Sequence, residues 1–566
     1  MSYAPPAAEQ AFVLEHVVRL GELSGHNAFA EATPDLVAAI ADGAGAFASG
    51  AFAPLNRLGD QTGAKWSPEG VVMPPGFREA YRAYVEGGWG TLSGPPEFGG
   101  QGLPLALATV VLEDLGSANM AFSLAPMLTA GAVEALVRHG SDELKARYLP
   151  KLVSGEWAGT MNLTEPQAGS DVGALKTRAE PGADGAWLVS GQKIFITYGE
   201  HDLTENIVHL VLARTPGAPA GTRGISLFLV PKILPDGSRN DLRCVSIEHK
   251  LGIHASPTCV MSYGDEGRCL GWLIGGETEG MRAMFTMMNN ARLNVGLQGV
   301  STAEAATQAA VRYARQRVQG SRGGRPAAIV EHPDVRRMLL RMAALTQGAR
   351  ALAYYTAGQT DRASLGDEAA KARADLLTPL VKAYGTDAGV EAASLYVQVH
   401  GGMGYIEETG VAQLYRDARI APIYEGTNGI QAADLVMRKI GLEEGAVLAT
   451  LLAEIRTDGA GEEALLQLAG DCAAAAGFLV GADADDRLAG SYPFLTMLAV
   501  AVAGWLMQRQ LGALPPDDGS AFARAKRAAC RFHLDRLVPE ARGLFAAATG
   551  GAALLYSIAE EDLAPA

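Results

Sequence analysis

The feature that most constrains the fold is a block of strand-like sequence set between two helical regions. From about residue 157 to residue 278, short runs of branched and aromatic residues, such as GISLFLVPK and TCVMSYG, are separated by Gly, Pro, Asp and Asn. Short runs of this kind, bounded by turn residues, are typical of β-strands. A β-domain is therefore predicted to interrupt two helical regions.

Apolar residues recur at helical spacing on both sides of this block, with Gly and Pro between the helical segments. A chain of 566 residues is too long for one core, because a domain takes roughly 100–200 residues. We therefore predict an α+β multidomain fold. The predicted parts are an N-terminal extension (1–38), a helical N-domain (39–156), a middle β-domain (157–280), a helical C-domain (281–445) and an appended C-terminal helical bundle (446–566).

The charge balance limits the classes of partner. The net charge is -15, and a protein that neutralises phosphates needs a basic surface, so we expect no nucleic-acid partner. The five cysteines are scattered without the paired spacing of a zinc site or a disulfide framework. No metal is therefore expected, and the odd number of cysteines fits a reducing compartment. These cysteines are Cys244, Cys259, Cys269, Cys472 and Cys530.

Two further stretches bear on location. The N-terminal residues MSYAPPAAEQAF lack the basic region and apolar core of a secretory signal, and we expect a cytoplasmic protein. The stretch from Tyr492 to Gly512 is very apolar, but its uninterrupted part is too short and too rich in Ala and Gly for a membrane span. It is interpreted as a buried helix, and no membrane span is expected.

A single carboxylate stands out in the segment IAPIYEGTNGIQ, residues 420–431. Apolar neighbours raise the pKa of a carboxylate such as Glu425 and make it a better base near neutral pH. The adjacent Gly426 leaves room for a substrate to pass over the backbone. With no metal ligand or nucleophile beside it, this carboxylate suits removal of a proton α to a carbonyl. A Glu near a helix N-terminus and a buried structural Glu are alternatives that the residues alone leave open.

Small and hydroxyl residues gather where the helical pattern gives way to strands. The segment MNLTEPQAGSD contains Thr164 and Ser170, whose N–H and O–H groups can donate to a flat or phosphorylated ligand. An ordinary turn at GSD is the alternative. In SGQKIFITYG, Thr197 ends a predicted strand close to Phe195, and the pair can bond and pack against a ring system. A surface Thr in a half-buried strand is the alternative there.

A third segment, QVHGGMGY, places Gly401 and Gly402 after a helical pattern. It is not a Rossmann fingerprint, because no strand precedes it. A helix junction broken by glycines can still offer N–H donors to a pyrophosphate, and Arg317 can supply the matching positive charge. For Arg317 the alternative is a solvated helix face. We interpret His400 as a packing residue and not as a base.

Together these segments resemble the acyl-CoA dehydrogenase family. The resemblance implies a helical N-domain, a middle β-barrel-like domain and a helical-bundle C-domain, with FAD bound noncovalently at a subunit interface. The segment EHKLGIHASPTCVM and the appended bundle are similar to a subgroup that contains 3-methylthiopropionyl-CoA dehydrogenases. The matching segments, in the family's order, are PPEFGGQG, YLPKLVSGEWAGTMNLTEPQAGSD, GQKIFIT, HKLGIHASPT, QVHGGMGY and LYRDARIAPIYEGTNGIQ.

The resemblance also implies a role for individual residues, with Glu425 as the catalytic base. The implied contacts to the flavin ring are Leu163, Thr164, Phe195 and Thr197. The implied contacts to the FAD pyrophosphate or adenosine are Arg317, Gln398, Gly401, Gly402 and Thr427. The implied substrate contacts are Ser170 at CoA, Arg292 on the substrate side, and Gly426. Phe195 departs from many relatives, which carry Trp there.

The implied function is FAD-dependent α,β-dehydrogenation of an acyl-CoA thioester. Glu425 would remove the α-proton while hydride passes to flavin N5, giving a trans-2-enoyl-CoA. The expected substrate is 3-methylthiopropionyl-CoA or a short- or medium-chain acyl-CoA. The expected acceptor is an electron-transfer flavoprotein, and the expected assembly is a homodimer or homotetramer. An acyl-CoA oxidase that uses oxygen and an inactive flavin-binding homologue are the alternatives.

The appended bundle has three possible roles. Its Ala-rich helices can cap the C-domain, add a dimer contact or cover the outer edge of the cofactor. A dimer contact is the prediction.

Overall fold

A computed structural model describes residues 3–564 of the chain. The part before the β-domain is mainly helical, as predicted, but it also contains an antiparallel hairpin. The sequence pattern does not reveal this hairpin because each strand is only three residues long. The helices and strands of this part are α1 (Ala7–Val13), α2 (Leu20–Ser24), α3 (Pro34–Phe47), α4 (Ala53–Thr62), β1 (Lys65–Ser67), β2 (Gly70–Val72), α5 (Phe77–Glu86), α6 (Leu105–Ala118), α7 (Met120–His139) and α8 (Asp142–Ser154).

The middle part is an eight-stranded sheet. Its strands are β3 (Ala158–Asn162), β4 (Arg178–Pro181), β5 (Trp187–Thr197), β6 (Ile207–Arg214), β7 (Ile225–Pro231), β8 (Leu242–Ile247), β9 (Thr258–Tyr263) and β10 (Leu270–Ile274). They run in the order β10–β7–β6–β4–β5–β9–β8, with β3 parallel to β6. A further pairing of β10 with β5 closes part of the sheet on itself. The prediction of a β-barrel-like middle domain is therefore confirmed.

Long helices resume after β10, but a second short hairpin interrupts them. Gly323 and Gly324 have φ of +56° and +77°, the two left-handed residues of a type I′ turn, which glycine adopts without strain. The elements are α9 (Gly280–Gln316), β11 (Val318–Arg322), β12 (Arg325–Ala328), α10 (Pro333–Ser364), α11 (Glu368–His400), α12 (Val411–Ala418), α13 (Asn428–Asp434), α14 (Ala446–Asp458), α15 (Glu463–Gly481), α16 (Ala484–Ala489), α17 (Ser491–Ala513), α18 (Ala521–Phe532), α19 (Val538–Arg542) and α20 (Phe545–Thr549).

The chain forms two compact units, and their boundaries fall inside α3 and α9. The first unit contains residues 42–291 and the short N-terminal segment through Pro5; the second contains residues 6–41 and 292–566. Most of the predicted N-terminal extension therefore belongs to the same unit as the C-terminal half of the chain. The predicted fold class, with helical, β, helical and appended helical parts in this order along the chain, is confirmed.

The core of the first unit joins its helices to the β-sheet. Leu136 and Leu149, from α7 and α8, lie in one buried cluster with Leu210 and Leu229 of the sheet and Met287 of α9. A second, aromatic contact lies among the helices, where the rings of Phe52 and Phe122 stack with centroids 4.2 Å apart. Burial of this much apolar surface is the main favourable term in folding, and it supports the sheet from its helical side.

In the second unit, the appended helices pack into the same bundle as the C-domain. α17 contacts α10, α11, α13 and α15, and it is buried along most of its length. The interpretation of residues 492–512 as a buried helix is therefore confirmed. A buried cluster of charges joins the two ends of the chain, because the Lys526 ammonium donates to the Glu9 carboxylate at 2.6 Å. The appended bundle is thus part of the core of this unit and not a detachable element.

Four helical segments are long and apolar enough to cross a membrane, judged by length and composition only. The segments Met120–His139 and Ser491–Ala513 are mostly buried inside the protein, whereas Pro34–Thr62 and Glu463–Gly481 are buried over less than half of their apolar window. For the two buried segments, packing inside the fold accounts for the apolar composition. The expectation that no segment spans a membrane stays a prediction.

The cysteines and the other metal-binding side chains form no cluster in the part of the chain that the structure describes. Within residues 3–564, no group of three or more His, Cys, Asp and Glu residues could hold a metal ion. All five cysteines are buried and unpaired, three in the first unit and two in the second.

Candidate active site

Glu425 lies in a short loop between α12 and α13, and this loop has an uncommon backbone conformation. We call residues 424–427 the Glu425 loop. Glu425 has φ +56° and Gly426 has φ +81°. A non-glycine residue in the left-handed region costs about 1–2 kcal/mol, so other contacts have to hold it there. Gln431, in α13, donates from Nε2 to the carbonyl oxygens of Glu425 and Gly426, each at 3.3 Å.

The helix that follows begins after the loop and not at Glu425. Thr427 is the N-cap of α13, and its hydroxyl oxygen accepts a hydrogen bond from the Ile430 N–H at 3.2 Å. Glu425 precedes this cap by two residues, and its carbonyl oxygen is contacted from the helix by the Gln431 side chain. The backbone here also requires Gly426, because a Cβ at that position would lie 2.9 Å from Gln431 Nε2.

The surroundings of Glu425 favour its protonated form. Burial raises its pKa to about 7, and the positive charges of Arg292 and Lys382 offset part of that rise. The residue as a whole keeps some exposure, so the effect comes from protein packed around the carboxyl group. Within residues 3–564, no N–H or O–H group donates a hydrogen bond to this carboxylate. A carboxylate with a pKa near neutrality and no donor is suited to act as a general base.

Arg292 is one of the predicted residues that the structure places beside Glu425. Its guanidinium on α9 is nearly buried and lies 3.7 Å from the Asp434 carboxylate. Burial lowers the pKa of Arg292, while Asp434 and Glu425 act to raise it. A Cβ at Gly426 would be 3.9 Å from Arg292 Nη2. The structure therefore brings together three of the predicted residues, Glu425, Gly426 and Arg292.

The sequence patterns missed two polar residues at this place, Lys382 and Asn428. Lys382 is fully buried on α11, and its ammonium donates to Asn428 Oδ1 at 2.9 Å. Burial lowers the pKa of Lys382 to about 7, against the attraction of Glu425 and Asp387. The signal in the sequence was a lone Lys inside the apolar helical run LTPLVKAYG.

The predicted contacts to the flavin ring form a second group, in the first unit. The Ile194 N–H donates to the Thr164 carbonyl oxygen at 2.9 Å, which holds the segment that carries Leu163 and Thr164 against β5. Thr197, at the end of β5, pairs with Thr258 of β9. The four predicted contacts, Leu163, Thr164, Phe195 and Thr197, are thus brought together.

Phe195 is the most unusual residue of this group. A register shift between Lys193 and Ile196 marks a β-bulge in β5, and Phe195 within it has φ +59°. Bulges re-aim side chains, and Phe195 in this one is 58% exposed. A large exposed ring on a strained backbone is a surface suited to contact with a flat ligand.

A buried ion pair supports this group from behind. The Lys193 ammonium donates to Glu165 Oε1 at 2.8 Å and to the Leu163 carbonyl oxygen at 3.0 Å. The Glu165 carboxylate also accepts hydrogen bonds from the Thr177 hydroxyl at 2.6 Å and from two backbone N–H groups. Both members of this pair thus have several hydrogen-bond partners, and the pair fixes the backbone on both sides of Thr164.

The predicted contacts to the FAD pyrophosphate or adenosine lie on the surface of the second unit. His400 ends α11, and its ring stacks on Tyr313 of α9 with centroids 3.8 Å apart, which confirms its interpretation as a packing residue. A Cβ at Gly401 or Gly402 would meet nothing within 4 Å, so the backbone there is open. The predicted residues Arg317, Gln398, Gly401 and Gly402 are all exposed.

Ser170 lies in an exposed turn of the first unit. Asp171 caps this turn, because its side chain accepts a hydrogen bond from the Gly173 N–H at 3.0 Å. The ordinary turn proposed as an alternative therefore exists, and the Ser170 side chain remains exposed next to it.

A cleft of about 710 Å³ in the first unit contains none of the predicted site residues. Its charged lining pairs internally: Arg78 lies 3.3 Å from Asp202, and Lys232 pairs with Glu200. The cleft is therefore not part of the candidate site.

Along the chain, a helical domain and a partly closed β-domain precede a helical bundle that carries the carboxylate of Glu425. This is the arrangement of a dehydrogenase that acts on acyl thioesters. Comparison with known proteins agrees, and the chain belongs to the acyl-CoA dehydrogenase family. The N-terminal, middle and C-terminal domain models of that family match residues 39–156, 160–265 and 278–440. An acetyl-CoA dehydrogenase C-terminal-like domain matches residues 451–559.

Two relatives and one crystal structure show how far the similarity extends along the chain. The chain is 48% identical to a 3-methylmercaptopropionyl-CoA dehydrogenase of Ruegeria pomeroyi, over 89% of this chain and 90% of that protein. It is 33% identical to a broad-specificity linear acyl-CoA dehydrogenase of Mycobacterium tuberculosis, over 95% of this chain and 96% of that protein. A crystal structure of an acyl-CoA dehydrogenase complexed with FAD from Bacillus anthracis has the same fold. Its TM-score is 0.76 at 22% identity, covering 94% of this chain and 90% of that one.

Proposed function

We propose that this chain is an FAD-dependent acyl-CoA dehydrogenase that forms a trans-2-enoyl-CoA, with Glu425 as the base. The observation that carries the proposal is the raised pKa of Glu425, in a strained loop beside Arg292 and Lys382 and without a donor to its carboxylate. The α-proton of a thioester is weakly acidic, so its removal needs a base that is poised near neutral pH.

The residues present in each unit fit FAD. In the first unit, the exposed Phe195 ring and its neighbours Leu163, Thr164 and Thr197 suit the flavin ring. In the second unit, the open backbone at Gly401 and Gly402, with the exposed Gln398, Arg317 and the Thr427 N-cap, suits the pyrophosphate and adenosine. When bound, FAD supplies the acceptor for the hydride that leaves the β-carbon, which no amino-acid side chain can accept.

The chain's own residues bind the thioester and hold its proton. Glu425 takes the α-proton onto its carboxylate. None of residues 3–564 accepts a hydrogen bond from the Glu425 backbone N–H, so this donor remains for the thioester carbonyl oxygen. Gly426 lets the substrate approach the backbone, Arg292 lies on the substrate side, and Ser170 contacts CoA.

The proposed acyl group is 3-methylthiopropionyl or a short- to medium-chain acyl. The relative from Ruegeria pomeroyi is named for the first of these substrates. The relative from Mycobacterium tuberculosis is named for broad specificity toward linear acyl-CoAs, a class that includes the second. We further propose an electron-transfer flavoprotein as the physiological acceptor, a homodimer or homotetramer as the assembly, and the cytoplasm as the location. The five buried, reduced cysteines are consistent with that location.

The test is an anaerobic visible spectrum of the purified holoprotein before and after each of three substrates: 3-methylthiopropionyl-CoA, butyryl-CoA and octanoyl-CoA. We expect at least one of them to bleach the flavin band, and their rates to rank the acyl groups. Glu425→Gln is the matched control, which should keep its flavin but not be bleached. A yellow wild-type protein that no substrate bleaches would overturn the proposal.

The same preparation separates the two alternative functions. Rapid oxygen consumption with substrate alone would indicate an acyl-CoA oxidase, whereas turnover only with an added electron acceptor supports a dehydrogenase. An inactive flavin-binding homologue would show neither reaction.

A further inference from the structure

A chain of hydrogen bonds connects Asn428, next to the Glu425 loop, to the appended bundle, and the proposed function uses only Lys382 among its members. The chain begins at Asn428, which directly follows the loop. Its Oδ1 accepts from the Lys382 ammonium at 2.9 Å, and its Nδ2 donates to Asp387 Oδ1 at 2.9 Å and to the Thr386 hydroxyl at 3.0 Å. All four side chains are within the second unit.

The chain continues from Asp387 to the appended bundle. The other carboxylate oxygen of Asp387 accepts a hydrogen bond from the Tyr492 hydroxyl at 2.5 Å. Tyr492 is in the first turn of α17, which packs against α11 and α13. At this distance, a hydroxyl that donates to a carboxylate makes one of the stronger hydrogen bonds found in proteins.

The charges at the two ends of Asn428 fix the orientation of its amide. The oxygen faces a cation, Lys382, and the nitrogen faces an anion, Asp387. A flipped amide would place N–H groups against the ammonium and oxygen against the carboxylate, which is unfavourable at both ends. Because Asn428 is two residues from Gly426, a fixed amide also fixes the exit of the Glu425 loop.

We propose that Tyr492 and Asp387 are positioning residues for Glu425: they lock Asn428, and through it they hold both the Glu425 loop and the Lys382 ammonium in place. This inference rests on the proposed function of Glu425 and assigns the appended bundle a part in it. The sequence-based prediction of a dimer contact for this bundle stays a prediction, and the hydrogen bonds connect the bundle to Asn428, three residues after Glu425.

Several other charged groups face this network, and they set the background against which its effect is measured. Arg292 acts on both Glu425 and Lys382. Arg419 acts on Asp387 and Tyr492. Arg292 is in turn faced by Asp434 and Arg438. None of these groups is altered in the variants below, so their contribution is constant.

The test compares two tyrosines of the appended bundle in the FAD-loaded full-length enzyme. Tyr492→Phe removes only the hydroxyl that bonds Asp387. Tyr556→Phe removes a hydroxyl from an exposed residue far along the same bundle and is the matched control. The readouts are the limiting rate of anaerobic flavin reduction across pH 5–9 and the hydrogen exchange of backbone amides in the peptide spanning residues 420–431.

In Tyr492→Phe, we expect roughly three- to tenfold slower reduction at pH 7, a fraction of what one hydrogen bond to a charged group can supply. The midpoint of the pH profile should move upward, because Lys382 then supports the ionised base less well. The amides of residues 420–431 should exchange faster. Tyr556→Phe should match the wild type in all three measurements.

A second variant tests whether the residues act as one chain. Asp387→Asn breaks the next link, and adding Tyr492→Phe to it should shift the midpoint no further, since coupled residues are not additive. If Tyr492→Phe and Asp387→Asn both keep the wild-type midpoint and exchange rates, the inference is overturned, even if both lose stability. If instead Glu425→Gln is bleached as fast as the wild type, the proposed function itself fails.

Discussion

Two buried carboxylates, Glu165 in the first unit and Glu425 in the second, are the same chemical group in opposite surroundings. Burial acts to raise the pKa of both. At Glu165 the attraction of Lys193 and several hydrogen-bond donors outweigh burial and lower the pKa to about 2. At Glu425 no donor contacts the carboxylate, and burial raises the pKa to about 7. The hydrogen-bond donors around a buried carboxylate, more than its depth of burial, thus decide whether it anchors the fold or serves as a base.

The lysine near each carboxylate shows the same contrast. Lys193 is bonded directly to Glu165, so its charge is neutralised within the pair. Lys382 is bonded instead to the neutral amide of Asn428, and its charge still acts on Glu425. A lysine that is held by an amide can tune a nearby base without forming an ion pair with it.

The most direct test of the different roles of Glu165 and Glu425 is to change each glutamate to glutamine. Glu425→Gln should slow flavin reduction by about 10²–10⁴-fold, the range typical for loss of a general base, with FAD content preserved and no loss of stability. Glu165→Gln should leave the base intact but lower the free energy of unfolding by about 3–5 kcal/mol, because Lys193 loses its buried partner. Stopped-flow reduction and chemical denaturation of both variants measure the two effects, and equal effects in both assays would contradict the distinction.

Replacing each lysine by methionine should cost more stability at Lys193 than at Lys382. Lys193→Met leaves the Glu165 carboxylate buried without its cation and should cost about 3–5 kcal/mol of stability. Lys382→Met leaves Asn428 with Thr386 and Asp387 as partners and should cost about 1–3 kcal/mol, mainly from one lost hydrogen bond. Denaturation midpoints of the two holoproteins test the order, and a larger loss for Lys382→Met would refute it.

Stability should depend on pH in opposite directions at the two carboxylates. An unfolded Glu titrates near about 4.3. The folded pKa of Glu165 is lower, so its contribution is present above about pH 4 and is lost as the pH falls toward 2. The folded pKa of Glu425 is higher, so the folded protein binds the extra proton and stability falls as the pH rises from about 4 to 7.

Denaturation midpoints measured at several pH values, for the wild type and for each Glu→Gln variant, isolate the two contributions by difference. Glu425→Gln should remove the decline between pH 4 and 7. A wild-type decline that persists unchanged in that variant would count against the raised pKa.

The smallest effects should come from glycines of the same segment. Gly426→Ala should lose about 1–2 kcal/mol, because φ is +81° and the new Cβ would meet Gln431. Gly429→Ala, in the first turn of α13, is the control; its Cβ would meet only the Thr427 hydroxyl at 3.7 Å, an ordinary contact. That control should be neutral or slightly stabilising, since Ala is the better helix former. Matching losses in both variants would mean that the left-handed conformation is not required.

The sequence predicted those parts of the molecule that depend on local pattern. The β-block, the helices around it and the lone carboxylate of an apolar run were all visible in the sequence. A helix or strand that buries one face leaves a periodic pattern of apolar residues. The type I′ hairpin of β11 and β12 was not visible, because its Gly-Gly turn lies inside a Gly- and Arg-rich stretch with few apolar residues. Short exposed strands leave too little pattern.

The groups that set the chemistry of Glu425 were beyond the reach of local pattern. Lys382 and Tyr492 are 43 and 67 residues from Glu425 along the chain, on α11 and α17. A periodic pattern shows that a lysine is buried, but it does not show whether a carboxylate or an amide receives the ammonium. That choice is made by tertiary packing, and it separates Lys193 from Lys382.

The buried cysteines allow the opening of each unit to be followed separately. Cys244, Cys259 and Cys269 are in the first unit, and Cys472 and Cys530 are in the second; in the folded protein none of the five is more than 8% exposed. A thiol reagent can reach any of them only after that part of the molecule opens, so the rate at which each one is alkylated reports an opening event. Peptide mapping of a slowly labelled sample would therefore show, without any introduced probe, which of the two units opens first.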